Sequence, residues 1–149
     1  RCKVHGNGRG GGPAMIRPIC KDREVLQTPS RKAVKKDLRL ARDLKDTLAA
    51  YSGCVGLAAD MIGENVQMLA AEMMGVPVVM VNPVILMKKD PYVTEEGCLS
   101  HDHTSTVTRY GVIEVEYRDD RWNRHRSRLE GLPAQIVQHE MDHFEGKLV

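Results

Sequence analysis

The pattern formed by His139, Glu140 and His143 constrains this chain of 149 residues more than any other feature. Histidines four residues apart lie one turn apart on the same face of an α-helix, so both imidazoles can bind one divalent ion. Glu140, next to the first histidine, can then reach a water activated by that ion. Pro133 and Gly146 suit the first turn and the end of such a helix. The pattern predicts a C-terminal helix with a hydrolytic metal site; the alternative is a solvated helix face with two incidental histidines.

Composition places the chain among ordinary globular proteins. Charged residues make up 28% and hydrophobic residues 42%, and the net charge is only +2, which indicates no specific nucleic-acid partner. No apolar stretch reaches the roughly 20 residues of a membrane span, so no membrane partner is expected. The four cysteines form no Cys-x-x-Cys pair, which favours free thiols in a reducing compartment. We therefore expect a cytoplasmic protein.

The glycine-rich stretch 1–14 differs from the rest of the sequence. It has five glycines between Gly6 and Gly12 and too little apolar surface to order itself. We interpret residues 1–14 as a flexible leader or an expression remnant, and residues 15–149 as a single metal-dependent domain.

The remaining sequence predicts helices and short strands in an α+β fold. Apolar residues at helical spacing predict a long helix over residues 37–51, near the N-terminus. β-rich runs at 65–70 and 78–87 predict strands, as does the alternation of apolar and charged residues over 112–118 with a hairpin partner at 125–129. Because strands and helices do not alternate regularly, we expect small antiparallel or mixed sheets packed around the C-terminal helix.

A catalytic site of this kind usually has three protein ligands, and the two histidines supply only two of them. Val149 stands where a third histidine would follow in one common form of the motif, so the third ligand is expected upstream. Spacing alone does not choose among the candidates. They are Cys54, Cys98, His101, His103, Glu95 and Glu96.

Three short segments resemble the signature motifs of the peptide deformylase family. They are Glu96-Gly97-Cys98-Leu99-Ser100, Gln138-His139-Glu140-Met141-Asp142-His143, and Val55-Gly56-Leu57-Ala58-Ala59 followed by Ile62-Gly63. Their order and spacing also match, and the resemblance extends from about Met15 to Val149. It implies a metal-dependent hydrolase that removes the N-terminal formyl group from the formyl-methionine of newly synthesised polypeptides.

The resemblance also implies a role for each residue of the site. Cys98, His139 and His143 would hold one divalent ion, with Fe²⁺ as the native metal and Zn²⁺, Ni²⁺ or Co²⁺ as alternatives. For Cys98 the other interpretation is a small buried apolar residue. Glu140 would take a proton from the metal-activated water and pass it to the leaving amine. The backbone N–H of Leu99 would stabilise the oxyanion together with the metal.

Supporting and substrate-binding residues follow from the same resemblance. Glu96 would pair with a downstream arginine, for which Arg109 is the candidate; the alternative is an ordinary surface arginine. The pocket for the methionine side chain of the substrate would be lined by four residues that equally suit the protein core. They are Val55, Gly56, Leu132 and Ile136.

Two positions depart from the usual first motif. Cys54 stands in place of a glycine, and Met61 stands in place of a glutamine that donates a hydrogen bond to the oxyanion. A thioether cannot donate, so one alternative is a deformylase-like protein with weak or altered N-acyl amidase activity. Another is a non-enzymatic metal-binding module, which would need a fourth protein ligand such as His101 or His103.

A basic cluster follows the predicted strand at 112–118. It consists of Arg118, Arg121, Arg124, His125, Arg126 and Arg128. Acidic residues are interleaved with these, so we interpret the cluster as a solvated hairpin face, although contact with ribosomal RNA would suit an enzyme that acts on nascent chains. The expected partners are formyl-methionyl peptides or nascent chains, with ribosome contact as a further hypothesis.

Overall fold

A computed structural model describes residues 16–51, 53–98, 100 and 102–149. The predicted leader at 1–14 lies outside these residues. The helices are α1 (Arg23–Leu26), α2 (Arg39–Ala50) and α3 (Leu132–Phe144), and short 3₁₀ turns cover Lys35–Leu38 and Ala59–Ile62. The strands are β1 (Gly56–Ala58), β2 (Met68–Met73), β3 (Val76–Gly97), β4 (Thr104–Arg118) and β5 (Arg124–Glu130).

The five strands form one antiparallel sheet in the order β1-β2-β3-β4-β5. The long strand β3 takes part in two hairpins, because its first residues, 76–81, pair with β2 and its later residues, 81–97, pair with β4. Register shifts between Val81 and Val84 and between Ile85 and Met87 occur early in the part that pairs with β4, as β-bulges do where a strand bends. Of the expected small antiparallel or mixed sheets, the antiparallel pairing is confirmed, but the division into several sheets is wrong, because the five strands pair continuously from β1 to β5.

Strand β4 shows why the alternating pattern predicted a half-buried strand. Ile113 and Val115 are fully buried, whereas Glu114 and Glu116 on the opposite face are partly exposed. Strand β4 pairs with β5 from Val112, which lies opposite Glu130, to Arg118, which lies opposite Arg124. Both the predicted strand and its hairpin partner are confirmed.

Helix α2 buries one apolar face against the sheet. Leu40, Leu44 and Leu48 are each at most 4% exposed, and the helix contacts β1, β2 and β3. Their spacing of four residues places all three side chains on one face of the helix. The observed helix covers most of the stretch 37–51, after a 3₁₀ turn.

Helix α3 packs across the sheet and determines where the candidate site lies. Ala134, Val137 and Phe144 are buried in the core, and α3 contacts strands β1, β2 and β4. Residues on the neighbouring face of the helix therefore approach the short edge strand β1 and the end of β3. The α+β class, the antiparallel sheet and the C-terminal helix are confirmed. In the part of the chain that the structure describes, no helix has the length and apolar character needed to cross a membrane.

Candidate active site

Three side chains of the kind that can hold a metal ion meet where α3 lies beside the end of β3. The ligand atoms of Cys98, His139 and His143 all lie within 4.8 Å of one another. His139 is 8% exposed and His143 is 1% exposed. The interpretation of this helix face as solvated is therefore wrong.

The distances in this cluster fit a divalent ion. Ligand bonds of about 2.3 Å to sulfur and about 2.05 Å to nitrogen, at a tetrahedral angle, place the two ligand atoms about 3.6 Å apart. The distance from Sγ of Cys98 to Nε2 of His143 is 3.5 Å. The backbone N–H of Ser100 also donates to the sulfur, at 3.5 Å. Sulfur and imidazole nitrogen are the donor types that Fe²⁺, Zn²⁺ and related ions accept.

The carboxylate of Glu96 holds His139 in a defined orientation. Its Oε1 lies 2.6 Å from Nδ1 of His139, and an ionised carboxylate only accepts hydrogen bonds, so Nδ1 carries a proton. Nε2 of His139 is then the nitrogen that can bind a metal. Burial lowers the pKa of His139, but its hydrogen bonds with Cys98 and Glu96 outweigh this effect and raise the pKa to about 10. The surroundings of this imidazole therefore favour a positive charge, whether a proton or a metal ion supplies it.

Glu96 is itself fixed by Arg109 and Gln135. The Arg109 guanidinium donates to both carboxylate oxygens over distances of 2.7 to 3.1 Å, and it also reaches Asp142 at 2.8 Å. Nε2 of Gln135 donates to Oε2 of Glu96 at 2.9 Å. Burial raises the pKa of Glu96, but the hydrogen bonds from His139, Arg109 and Gln135 lower it to about 2. Arg109 is 4% exposed, so the alternative of an ordinary surface arginine is wrong.

Glu140 lies beside the cluster with one unsatisfied carboxyl oxygen. The residue is 5% exposed, and its Oε1 has no hydrogen-bond partner among the described residues. Burial raises the pKa of Glu140 to about 7, against the lowering effect of the nearby His139. A carboxyl group with a pKa near 7 can both take up and release a proton at neutral pH.

The first motif brings strand β1 against this carboxyl group. A Cβ atom at Gly56 would lie 2.7 Å from Oε2 of Glu140 and 2.7 Å from Cγ2 of Ile136. After β1, the sulfur of Met61 accepts a hydrogen bond from the N–H of Ala58 at 3.4 Å. Met61 is 2% exposed, and its thioether supplies no donor to the site.

A cavity of about 570 Å³ lies next to this cluster, and Cys98, His139 and Glu140 form part of its wall. The predicted pocket residues Val55, Gly56, Leu132 and Ile136 all line it. Val55 is 41% exposed and Leu132 is 59% exposed, so the alternative that these two belong to the core is wrong. They form an apolar rim, while Ile136 is buried deeper in the wall.

Among the residues that the structure describes, the other candidates for the third ligand do not join the three-residue cluster. Cys54 and Glu95 line the cavity wall, whereas His103 lies outside both the cavity wall and the cluster. The thiol of Cys54 donates instead to the carbonyl oxygen of Gly56, at 3.3 Å. Leu99 and His101 fall outside the residues that the structure describes.

Sequence reasoning did not assign Gln135 or Asp142, although both contact the network around Glu96. For Gln135 a signal exists, because it precedes His139 by four residues and so shares its helix face. Asp142 lies within the C-terminal motif, but its contact with Arg109 depends on how β4 packs against α3, and no local pattern shows that.

The sequence pattern of the polypeptide deformylase family matches residues 16–149. This chain belongs to that family. The peptide deformylase of Clostridium beijerinckii is 47% identical over 136 residues, which cover 91% of this chain and 100% of the relative. The resemblance drawn from the three motifs is therefore confirmed, and the chain is an enzyme of the deformylase family.

Solved deformylase structures share the fold. The peptide deformylase of Legionella pneumophila gives a TM-score of 0.81 at 33% identity, over 89% of this chain and 83% of that one. The deformylase of Synechococcus elongatus, solved in complex with actinonin, gives a TM-score of 0.77 at 30% identity. That match covers 98% of this chain and 82% of the relative.

Proposed function

We propose that this chain hydrolyses the formyl amide of N-formylmethionyl peptides, releasing formate and a peptide with a free N-terminal amine. The observation that carries this proposal is the meeting of Cys98, His139 and His143 beside the buried carboxyl group of Glu140. These groups lie beneath a cavity with an apolar rim. Membership of the deformylase family indicates the class of reaction. The geometry brings the candidate metal ligands, the carboxyl group of Glu140 and the cavity together.

In this proposal one divalent ion is held by Cys98, His139 and His143. Among the described residues this cluster offers three ligands and no fourth, which is typical of catalytic sites and does not favour a purely structural module. When bound, the ion supplies a Lewis acid that lowers the pKa of water and polarises the formyl carbonyl group. We propose Fe²⁺ as the native metal; the same donors also accept Zn²⁺, Ni²⁺ and Co²⁺.

Glu140 moves the proton in the proposed reaction. Its carboxylate accepts a proton from the water whose oxygen attacks the formyl carbon. The C–N bond then breaks, and Glu140 returns that proton to the nitrogen of the leaving amine. Burial supports both steps, because it brings the pKa of Glu140 to about 7. The backbone N–H of Leu99 remains our predicted donor to the oxyanion.

The cavity supports the choice of a methionyl substrate. Val55, Leu132 and Ile136 line it with aliphatic surface, and a flexible thioether side chain adapts well to an irregular apolar pocket. Gly56 leaves room for the carboxyl group of Glu140 at the cavity wall, since any side chain at this position would collide with that group.

Contact with the ribosome remains a prediction. In the basic cluster, Arg126 pairs with Glu114 and Arg128 pairs with Glu130. These arginines thus have acidic partners on the surface of the β4–β5 hairpin, which supports the interpretation of a solvated face.

The proposed function is tested by measuring formate release from formyl-Met-Ala-Ser. The protein is purified without oxygen and loaded with Fe²⁺ or Ni²⁺, and a Glu140→Gln variant serves as a matched control that keeps the side-chain shape. We expect turnover in the wild type and a loss of at least about 10²-fold in the variant. Absence of turnover with one metal bound per chain would contradict the proposal and favour an altered N-acyl amidase.

A binding measurement provides a readout that does not depend on turnover. The deformylase of Synechococcus elongatus was solved in complex with actinonin, so we expect actinonin to bind this cavity in titration calorimetry. Binding that is lost on removal of the metal with a chelator would support a ligand site at the metal. Equal binding with and without metal would argue against it.

A further inference from the structure

Gln135 connects the wall of the substrate cavity to the residue that orients His139. It lies on α3 four residues before His139, so both side chains project from the same face of the helix. Gln135 lines the cavity together with its neighbours Leu132 and Ile136. At the same time its Nε2 donates to Oε2 of Glu96 at 2.9 Å.

The contacts of Glu96 show what this hydrogen bond controls. One oxygen, Oε1, accepts from Nδ1 of His139 at 2.6 Å and from Arg109 at 2.7 Å. The other, Oε2, accepts from Gln135 at 2.9 Å and from Nε of Arg109 at 3.0 Å. A rotation of the carboxylate would therefore turn the imidazole of His139, and Gln135 is one of the two side chains that prevent this rotation.

Arg109 and Gln135, the two side chains that hold Glu96, differ in whether they line the substrate cavity. Arg109 is 4% exposed and does not belong to the cavity wall, whereas Gln135 is half-buried and does. Water in an empty cavity competes for the amide of Gln135. An apolar side chain that fills the cavity displaces this water, and a hydrogen bond to a carboxylate is stronger in drier surroundings.

We propose that Gln135 is a positioning residue that links occupation of the substrate pocket to the orientation of His139. Filling of the pocket tightens the hydrogen bond from Gln135 to Glu96, and Glu96 in turn holds the imidazole in place. The chain therefore distinguishes substrates by their side chain in kcat as well as in KM. This inference rests on the proposed deformylation of methionyl peptides.

Two variants isolate the hydrogen bond from the shape of the pocket. Gln135→Met keeps the length of the side chain but removes the donor, and Gln135→Leu repeats this with a different shape. Leu132→Ala is the matched control, since it alters the same cavity wall without touching Glu96. Each protein is assayed with formyl-Met-Ala-Ser and with formyl-Gly-Ala-Ser, which lacks the side chain.

We expect both Gln135 variants to lower kcat for the methionyl peptide by about 10-fold, with little change in kcat for the glycyl peptide. Leu132→Ala should mainly raise KM for the methionyl peptide. If the Gln135 variants also change only KM, Gln135 is simply part of the wall and the proposal is wrong.

A second readout tests the link to the metal without any turnover. The rate at which a chelator removes Co²⁺ is followed through the visible absorption of the Co²⁺-substituted protein. The measurement is made with the pocket empty and with the product peptide Met-Ala-Ser, which carries the side chain but cannot be deformylated. With this peptide bound, we expect removal to be about 10-fold faster in both Gln135 variants than in the wild type and unchanged in Leu132→Ala, whereas with the pocket empty the rates should differ little. Equal rates in all proteins with the peptide bound would overturn the proposal. A wild type that binds Co²⁺ but releases no formate would instead contradict the proposed function, while the metal-release rates would still test the link from Gln135 to His139.

Discussion

Gly56 on β1 lies directly against Glu140 on α3, and the two fit only because Gly56 has no side chain. A Cβ atom at position 56 would stand 2.7 Å from Oε2 of Glu140, a distance at which one of the two groups must move. The glycine therefore determines how closely the edge strand and the helix approach each other. It also places the backbone of β1 in the cavity wall, next to the carboxyl group that we propose as the proton carrier.

Replacement of Gly56 by alanine should displace Glu140 and lower activity. A shift of about 1 Å in a reacting group costs on the order of 10²-fold in rate, and overpacking costs about 1–3 kcal/mol of stability. The measurement is kcat for formate release, together with the free energy of unfolding in urea. Gly111→Ala is the matched control, because its Cβ would meet neighbours only at 3.5 Å. Equal activity in both variants would show that Glu140 does not need its present position.

Replacement of Met61 by glutamine should increase activity. The sulfur of Met61 accepts from the N–H of Ala58 but supplies no donor, whereas a glutamine amide has both an acceptor and a donor. One donor to an oxyanion is worth about 10²–10³-fold in rate in other enzymes, so we expect kcat to rise by at least about 10-fold. Met61→Leu controls for the change in shape. An unchanged kcat in Met61→Gln would mean that the wild-type site already compensates for the missing donor.

The sequence predicted those parts of the site that depend on local spacing. The helix face of His139 and His143 follows from their separation of four residues, and the half-buried strand around Ile113 follows from simple alternation. The contacts of Arg109 with Glu96 and Asp142 are different, because they depend on the register of β3 with β4 and on the packing of α3. Only the family resemblance pointed to the first of these contacts, and nothing pointed to the second.

The length of β3 shows how tertiary pairing overrides local signals. The predicted strand ended at Met87, and the next residues, Lys88-Lys89-Asp90-Pro91, are of types that are uncommon inside strands. In the structure Lys89 pairs with Val112 and Pro91 pairs with Tyr110, and the strand continues to Gly97. Pairing with β4 supplies the hydrogen bonds that the local sequence does not favour. This continuation carries Glu96 and Cys98 to the site.

Removal of the Arg109 guanidinium should destabilise both the fold and the metal site. Arg109→Met leaves the buried carboxylate of Glu96 without its cationic partner, and breaking a buried pair costs about 3–5 kcal/mol. We expect metal affinity to fall by about 10–100-fold as well, since Glu96 orients His139. Urea unfolding and competition with a chelator measure the two effects.

Two control variants distinguish the effect of breaking a buried ion pair from the effect of losing one positive charge in Arg109→Met. Arg128→Met breaks the exposed pair with Glu130 and should cost less than about 1 kcal/mol. The double variant Glu96→Gln with Arg109→Met should regain part of the stability but not the metal affinity. Full recovery of metal affinity in the double variant would show that Glu96 does not orient the imidazole.

Asp60 should make the protein less stable as the pH rises, and Asp60→Asn should remove this dependence. Asp60 is fully buried, and neither carboxyl oxygen has a hydrogen-bond partner among the described residues. Burial, reinforced by the charge of Glu140, raises the pKa of Asp60 to about 8 from its ordinary value of 3.8. The folded chain therefore holds a proton on Asp60 that the unfolded chain releases, and this one group lowers the free energy of unfolding by about 1.4 kcal/mol per pH unit between about pH 4 and pH 8. The stability of Asp60→Asn relative to the wild type should rise with this slope and level off above about pH 8.

Asp46→Asn makes the same change at an exposed position of α2 and separates the effect of burial from that of charge. Urea unfolding of the metal-saturated proteins at several pH values measures the slope, and parallel curves for Asp60→Asn and the wild type would show that Asp60 is ionised in the folded chain.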